Sequence, residues 1–376
     1  MKEICSKTSC TGCAACMNRC PQQCIAMKED NKLGHLFPQI DPTQCTDCGA
    51  CVKVCPVHRT ATLRQPLMAF AGWDKTEAAY VASTSGGAAS AFARFMIRQG
   101  GVVYGCAMLP HMEVRHIRIE RLEEVASLRG SKYVQSTMGM TYRQVRDDLR
   151  AGRQVLFIGT PCQVAGVKVF VGEALGQKLY TVDLICHGTP PLAYLRKHIL
   201  KKTKNRVPDE IIFRKGAYLL LLLLLCGREI YRSSLFEQRY EDTYYNAFFD
   251  GFSCRDSCHT CHYAQPNRVS DVTIGDFWGL KGELPLEHPH GCSVLLPTTE
   301  KGRELIEGIR PEFNLFERPV EEAVKGNDQL RHPKEKDWRI SLFGKLLPLL
   351  VVDKAYKLCV ADKIVRRRLR IIIKGK

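Results

Sequence analysis

The chain has 376 residues, 45% of them hydrophobic, and a formal net charge of +16. That length and apolar content suffice for two or three domains with sizeable cores. Its 19 cysteines would mean a disulfide scaffold in a short secreted chain. Here Met1–Cys5 opens no apolar leader, no apolar run reaches the roughly 20 residues that span a bilayer, and a cytoplasmic protein with reduced thiols is expected.

The first 60 or so residues carry the strongest pattern. Cys10-x-x-Cys13-x-x-Cys16-x-x-x-Cys20-Pro21 recurs as Cys45-x-x-Cys48-x-x-Cys51-x-x-x-Cys55-Pro56. Three thiolates at two-residue intervals wrap a loop around three corners of a [4Fe–4S] cubane, and the fourth corner is met from across the domain. The expected sets are therefore Cys10, Cys13, Cys16 with Cys55, and Cys45, Cys48, Cys51 with Cys20. Zinc is the alternative, but it takes four ligands in two pairs, not two four-cysteine runs each closed by proline. This stretch resembles two-cluster ferredoxin domains. Ile25–Met27 and His35–Gln39 alternate around a turn at 30–34, a hairpin signal. Cys5 and Cys24 are left over and read as packing or solvent residues.

After a polar linker at 57–66 the pattern becomes α/β. Ala79–Ser83 reads as a strand, Ser83–Gly87 as a small-residue loop, Ala88–Gln99 as a helix and Val102–Cys106 as a second strand. Glu120–Leu128 and Tyr142–Ala151 carry helical spacing. A βαβ unit follows: strand Val155–Gly159, loop Thr160–Gln163, a helix to about Phe170, strand Thr181–Ile185 and loop Cys186–Gly188. Such a unit implies parallel strands with a right-handed crossover, so Cys162 and Cys186 fall just past neighbouring carboxyl ends, where open α/β sheets bind ligands. Ile211–Tyr231 reads as a hairpin, and its leucine run within Tyr218–Cys226 as a buried strand or short helix. Past Pro333 the chain reads as helical. There is no Gly-x-Gly-x-x-Gly and no Walker sequence, so neither a standard dinucleotide fold nor an NTPase is indicated.

Nine cysteines lie beyond the first 62 residues. Cys258-x-x-Cys261 has metal-ligand spacing, and Cys162 and Cys186 complete a candidate third four-cysteine set, with Cys254 as the competing ligand. Cys106, Cys226, Cys292 and Cys359 lie in apolar runs and read as small core residues. Each cubane with its thiolates carries about −2, so three would lower the net charge to about +10. Lys363–Lys376 holds seven of the basic residues and no acid; the remainder is mildly basic, which argues against a nucleic-acid binder. Within Val360–Ile373, Arg366, Arg367, Arg368 and Arg370 alternate with Val365, Leu369, Ile371 and Ile372. This suits a helix lying on anionic lipid, with a solvated helix end as the alternative.

Five motifs then occur in order: Ser83-Thr84-Ser85-Gly86-Gly87, Gly130-Ser131-Lys132-Tyr133-Val134-Gln135, Gly159-Thr160-Pro161-Cys162-Gln163, Asp183-Leu184-Ile185-Cys186-His187-Gly188 and Gly275-Asp276-Phe277-Trp278-Gly279. Together they resemble the beta subunit of the coenzyme F420-reducing hydrogenase and dehydrogenase family over about residues 70–300. The resemblance implies a flavoprotein, FAD or FMN, with an iron–sulfur cluster beside the flavin. A fused ferredoxin is similar to bacterial members associated with surface-polysaccharide gene clusters, whose substrate need not be coenzyme F420. On that footing Ser85, Gly86 and Gly87 would hold a flavin phosphate on helix N–H groups, the alternative being an ordinary turn. Lys132 and Tyr133 would complete the flavin site, or Lys132 is a solvated lysine. His187 would donate a proton or cap a helix; Asp276 would touch flavin or substrate, or satisfy a turn.

The expected architecture is an α+β ferredoxin-like domain (1–62) followed by an α/β flavin-binding body with a mostly parallel sheet (63–150 and 151–335) and a helical basic tail (336–376). The expected function is an iron–sulfur flavoprotein oxidoreductase, fed by a ferredoxin-type electron donor or acceptor and acting on a small organic substrate. The alternatives are a non-catalytic electron-transfer subunit of a larger complex and a basic iron–sulfur protein that binds nucleic acid.

Overall fold

The structure, a computed structural model, describes residues 3–215, 218–235, 240 and 242–374. Helices α1 (Ala15–Arg19) and α2 (Ala50–Lys53) each follow a left-handed residue, Ala14 at φ 63° and Gly49 at φ 70°. Between them β1 (Ile25–Glu29) and β2 (Leu36–Ile40) pair antiparallel. Asp30 makes the hairpin turn: its Oδ1 accepts the N–H groups of Lys32, Leu33 and Gly34 at 3.1, 3.1 and 2.8 Å.

The body begins with β3 (Ala69–Asp74), in which every residue is buried. It continues with α3 (Glu77–Val81), α4 (Ala88–Arg98), β4 (Val102–Leu109), β5 (Glu113–Ile119), α5 (Val125–Leu128) and α6 (Thr141–Arg150). Then come β6 (Val155–Gly159), α7 (Pro161–Val171), α8 (Glu173–Gly176), β7 (Leu179–Leu184) and α9 (Leu192–Lys202). A meander of β8 (Glu210–Lys215), β9 (Tyr218–Leu225) and β10 (Arg228–Ser234) leads to α10 (Thr243–Phe249), β11 (Val272–Asp276), β12 (Ser293–Pro297), α11 (Glu300–Ile309), β13 (Phe313–Arg318) and α12 (Val320–Gly326). Helices α13 (Trp338–Leu346), α14 (Val352–Cys359) and α15 (Ala361–Lys374) end the described chain.

Eight strands form one sheet in the order β13-β3-β12-β11-β7-β6-β4-β5. The expectation of a mostly parallel sheet is corrected. Three neighbouring pairs are parallel, β11·β7, β7·β6 and β6·β4, while the other four are antiparallel. The βαβ unit reads true at β6-α7-β7, but the flanking strands return through hairpins and short crossovers that reverse direction. The strand expected at Ala79–Ser83 is also corrected. That stretch falls in and just after α3, where Thr76 N–H bonds Asp74 Oδ1 at 3.0 Å as the helix starts. Four apolar residues in a row fit either period, and the true strand, β3, lies one step earlier.

The expected hairpin at Ile211–Tyr231 is three strands, with the leucine run as the central one. Leu221 and Leu223 are fully buried in a core shared with α9, α10 and the C-terminal helices. Cys226 is exposed at the β9–β10 turn, not in a core. On one face of the large sheet, Cys13, Ala14, Ala15 and Val54 share a core with Tyr104, Tyr142, Phe157 and Val164, so the ferredoxin segment and the sheet bury one another. On α15, Val365, Leu369, Ile371, Ile372 and Ile373 are exposed. Among the described residues no helix is long and apolar enough to cross a membrane.

Candidate iron–sulfur and cofactor site

The two N-terminal runs cross over as their spacing predicts. Cys10, Cys13, Cys16 and Cys55 line one cavity, and Cys20, Cys45, Cys48 and Cys51 line another. Each cavity also holds a fifth thiol. Cys5 hydrogen-bonds both Cys10 and Cys55, which holds those two thiols down to about 7 and about 6. Cys24 Sγ lies 3.4 Å from Cys20 Sγ; burial, then the bonds to Cys20 and Cys45, push it up to about 12. Packing or solvent was the expectation for Cys5 and Cys24; both instead touch candidate ligands. Among the described residues no three His, Cys, Asp or Glu converge as around a single ion, whose thiolates would sit about 2.3 Å from it.

The third set assembles at the carboxyl edge of the parallel strands. Cys162 stands in the first turn of α7, not in the loop that the spacing suggested. Thr160 and Gln163 form a capping box around it, and Thr160 Oγ1 lies 3.3 Å from Cys162 Sγ. That helix start lends positive potential where a thiolate would sit. Cys186 follows β7, and Cys258 and Cys261 come from the loop after α10. The four thiols are mutual electrostatic neighbours, and burial pushes Cys162 up to about 12 and raises the other three. Thiols in such surroundings stay neutral on their own; coordination to iron would make thiolates of them. Cys254 lies beneath the Gly188 turn, where a β-carbon on Gly188 would meet its Sγ at 2.6 Å. Among the described residues the thiol that acts on it is Cys258, whereas Cys162, Cys186 and Cys261 act on one another.

Buried ion pairing holds the cysteine loop to the sheet. Arg268 donates to Asp183 Oδ1 at 3.2 Å, to Thr273 Oγ1 at 3.0 Å and to the Tyr263 carbonyl at 2.5 Å. Asp183, in the motif before Cys186, is fully buried; its role is to anchor this arginine.

The first and third groups abut. Cys13 is an electrostatic neighbour of Cys162, and Tyr142 and Tyr263 each neighbour both. Polar contacts lock the seam: Gln135 Nε2 donates to the Thr11 carbonyl at 3.0 Å, Ser257 Oγ to the Cys10 carbonyl at 3.1 Å, and Arg143 to the Asn18 and Cys20 carbonyls at 2.7 and 2.6 Å. Sequence reasoning missed Gln135, Arg143 and Ser257 as docking groups, because their partners are backbone carbonyls over 100 residues away.

The groups expected to hold a flavin lie along the same sheet edge and differ in availability. The Ser85 hydroxyl is buried without a hydrogen-bond partner. Helix α4 is preceded by the left-handed Gly87 with no side-chain cap, and the N–H groups of such a helix start suit an anion. Thr84 Oγ1 meets Ser131 Oγ at 3.2 Å. Gly86 has a packing cause, since a β-carbon there would come within 2.1 Å of the Gly72 carbonyl. Lys132 is neither solvated nor open to a phosphate: its Nζ donates to the carbonyls of Cys106, Leu128 and Arg129 at 3.0, 2.9 and 2.7 Å. Tyr133 packs among Phe213, Tyr245, Phe248 and Phe249. Asp276 forms an ion pair with Arg214, whose side chain is 6% exposed. His187, which burial holds down to about 4, lies within electrostatic reach of Asp276 and is therefore neutral near pH 7. The sequence did not single out Arg214, which lies in a strand of ordinary alternation.

Two family models match parts of the chain. Residues 9–58 match the 4Fe-4S dicluster domain family. Residues 152–322 match the family described as the C terminus of the coenzyme F420 hydrogenase/dehydrogenase beta subunit. No curated protein matches the chain. Among solved structures, a chain of the F420-reducing [NiFe] hydrogenase complex from Methanosarcina barkeri is similar at 15% identity, over 79% of this chain and 92% of that chain, with a TM-score of 0.47.

Proposed function

We propose that this chain, whose residues 152–322 match the coenzyme F420 hydrogenase/dehydrogenase beta subunit family and whose residues 9–58 match the 4Fe-4S dicluster domain family, is part of an oxidoreductase and passes electrons along three clusters to an organic cofactor. One observation carries the reading: the Cys10/13/16/55 group abuts the Cys162/186/258/261 group through Cys13 and Cys162. The Cys20/45/48/51 group, which includes the exposed Cys48, supplies the third station of the relay.

A flavin at that edge, when bound, takes up two electrons as a hydride and passes them on singly, the conversion a cubane wire requires. The N–H groups at the start of α4 and the unpartnered Ser85 hydroxyl suit the flavin's phosphate. Arg214 and Asp276 supply a paired charge, and His187 beside it is the candidate proton donor. Lys132, committed to three carbonyls, is withdrawn from phosphate binding and supports α5 instead. An organic substrate, a ferredoxin-type partner, a link to surface polysaccharides and contact of α15 with anionic lipid belong to this reading as proposals.

The engagement of Lys132 and Tyr133 in packing favours a second reading, in which the protein only relays electrons between partner proteins. The deciding experiment is an anaerobic preparation with iron, sulfide and flavin measured on one sample. About 12 iron atoms and about one flavin per chain are expected. Eight iron atoms would remove the third cluster, and 12 without flavin would leave the relay.

A further inference from the structure

Arg255 is 2% exposed and lies in the seam between the ferredoxin segment and the sheet. Its Nε donates to Gln135 Oε1 at 2.8 Å and its Nη2 to the Leu36 carbonyl at 2.5 Å, with the guanidinium 4.8 Å from the centre of the Phe37 ring. Its Nη1 is buried with no hydrogen-bond partner. Gly12 makes room for it, since a β-carbon there would come within 2.4 Å of Nη2.

A guanidinium stays charged in proteins, and a buried charge is retained where an opposite charge faces it. Among the described residues, no carboxylate forms an ion pair with Arg255. Asp30, the carboxylate that acts on it, is committed to the N–H groups of its own turn, and Asp256, next in sequence, to Lys336 at 2.6 Å. What faces the guanidinium is sulfur. Cys10 of the first group and then Cys258 and Cys162 of the third favour its charged form most, ahead of the Asp30 carboxylate.

We infer that Arg255 is the counter-charge shared by the first and third clusters, and that it raises the reduction potential of both. The inference rests on the reading of a third cluster given above. Each cubane with its thiolates carries about −2 when oxidised and gains one more negative charge on reduction. A fixed cation in a low-dielectric seam stabilises the reduced form more than the oxidised one. Standing between two anionic groups, it also offsets their mutual repulsion, so both can hold an electron at once. No thiol of the Cys20/45/48/51 cluster stands among the groups that favour the charged form of Arg255.

The test is a mediated redox titration of the anaerobic full-length protein followed by EPR, with iron measured on each variant. Arg255→Gln should shift the reduced-to-oxidised ratio of the first and third clusters at least tenfold at fixed potential, a fall of about 59 mV for a one-electron couple. The second cluster should not move. Arg255→Lys, which keeps the charge, should hold both ratios within about threefold of the wild type. Gln135→Glu neutralises the guanidinium without removing it and should lower the same two potentials, giving a reading even if Arg255→Gln fails to assemble. Unchanged potentials in fully loaded Arg255→Gln, or in Gln135→Glu where the former does not assemble, would overturn the inference. An equal fall at all three clusters would overturn it too, as a general loosening. A wild type with eight iron atoms would sink the third-cluster reading separately, and the first cluster's response would then decide for or against Arg255 alone.

Discussion

Gly166 on α7 faces Cys13 so closely that a β-carbon on the glycine would stand 3.3 Å from the β-carbon of Cys13 and 2.8 Å from the Tyr142 hydroxyl. No side chain separates the first cysteine group from the helix that carries Cys162. Gly166→Val should overpack this seam at a cost of about 1–3 kcal/mol. It should also slow electron transfer from the first cluster to the third while leaving iron content unchanged. Thermal unfolding and stopped-flow reduction monitored at the third cluster check the two effects. Wild-type transfer in a destabilised variant would place the electron path elsewhere.

Cys24 and Cys5 offer a paired experiment. Each thiol hydrogen-bonds with two ligands of one candidate cluster, Cys24 with Cys20 and Cys45, Cys5 with Cys10 and Cys55. Hydrogen bonds to cluster sulfurs favour the more negative, reduced form. Cys24→Ala should lower the potential of the second cluster, and Cys5→Ala that of the first, each by tens of mV, against the roughly 59 mV of a tenfold change. Serine at either position should restore part of the shift. Loss of iron in place of a shift would make the fifth thiol a ligand.

The third cysteine group is tested against Cys254. Cys186→Ser should strip or alter the third cluster, whereas Cys254→Ser should leave iron content and EPR line shape as in the wild type. The reverse result would exchange the two residues' roles.

Acid sensitivity should depend in part on His116. Its Nε2 donates to the Ile158 carbonyl at 3.0 Å and its Nδ1 accepts from Ser136 Oγ at 3.0 Å, while burial holds it down to about 4 against an ordinary 6.5. The folded form thus stays neutral where the unfolded chain takes a proton. The stability it contributes is complete above pH 6.5 and is lost as pH falls towards 4, at up to about 1.4 kcal/mol per pH unit. Denaturant midpoints at pH 7 and pH 5 should differ less in His116→Gln than in the wild type. An unchanged difference would assign the acid sensitivity to other groups.

Much of the site is written locally in the chain. The two N-terminal runs were legible because each cysteine's spacing wraps a loop within a few residues, and proline ends each run. The β6-α7-β7 unit was legible for the same reason: strand, capped helix start and strand follow one another, so the positions of Cys162 and Cys186 past two strand ends came with it. The Ala79–Ser83 strand failed because four apolar residues do not distinguish a helical from an extended period. The seven-leucine run carried no period at all, and only pairing on both sides made it the central strand of a meander.

By itself, then, the sequence determined which cysteines could act together along the chain, through spacing that local backbone geometry enforces. Tertiary structure decided what surrounds them. It set Cys254 under the Gly188 turn, turned Lys132 onto three carbonyls, and left Cys226 at an exposed turn. It also buried Arg255 between two thiol groups, with no ion-paired carboxylate among the described residues. These outcomes depend on partners up to about 245 residues apart, as between Cys10 and Arg255. Burial and charge balance are summed over such neighbours, and no short window of sequence contains them.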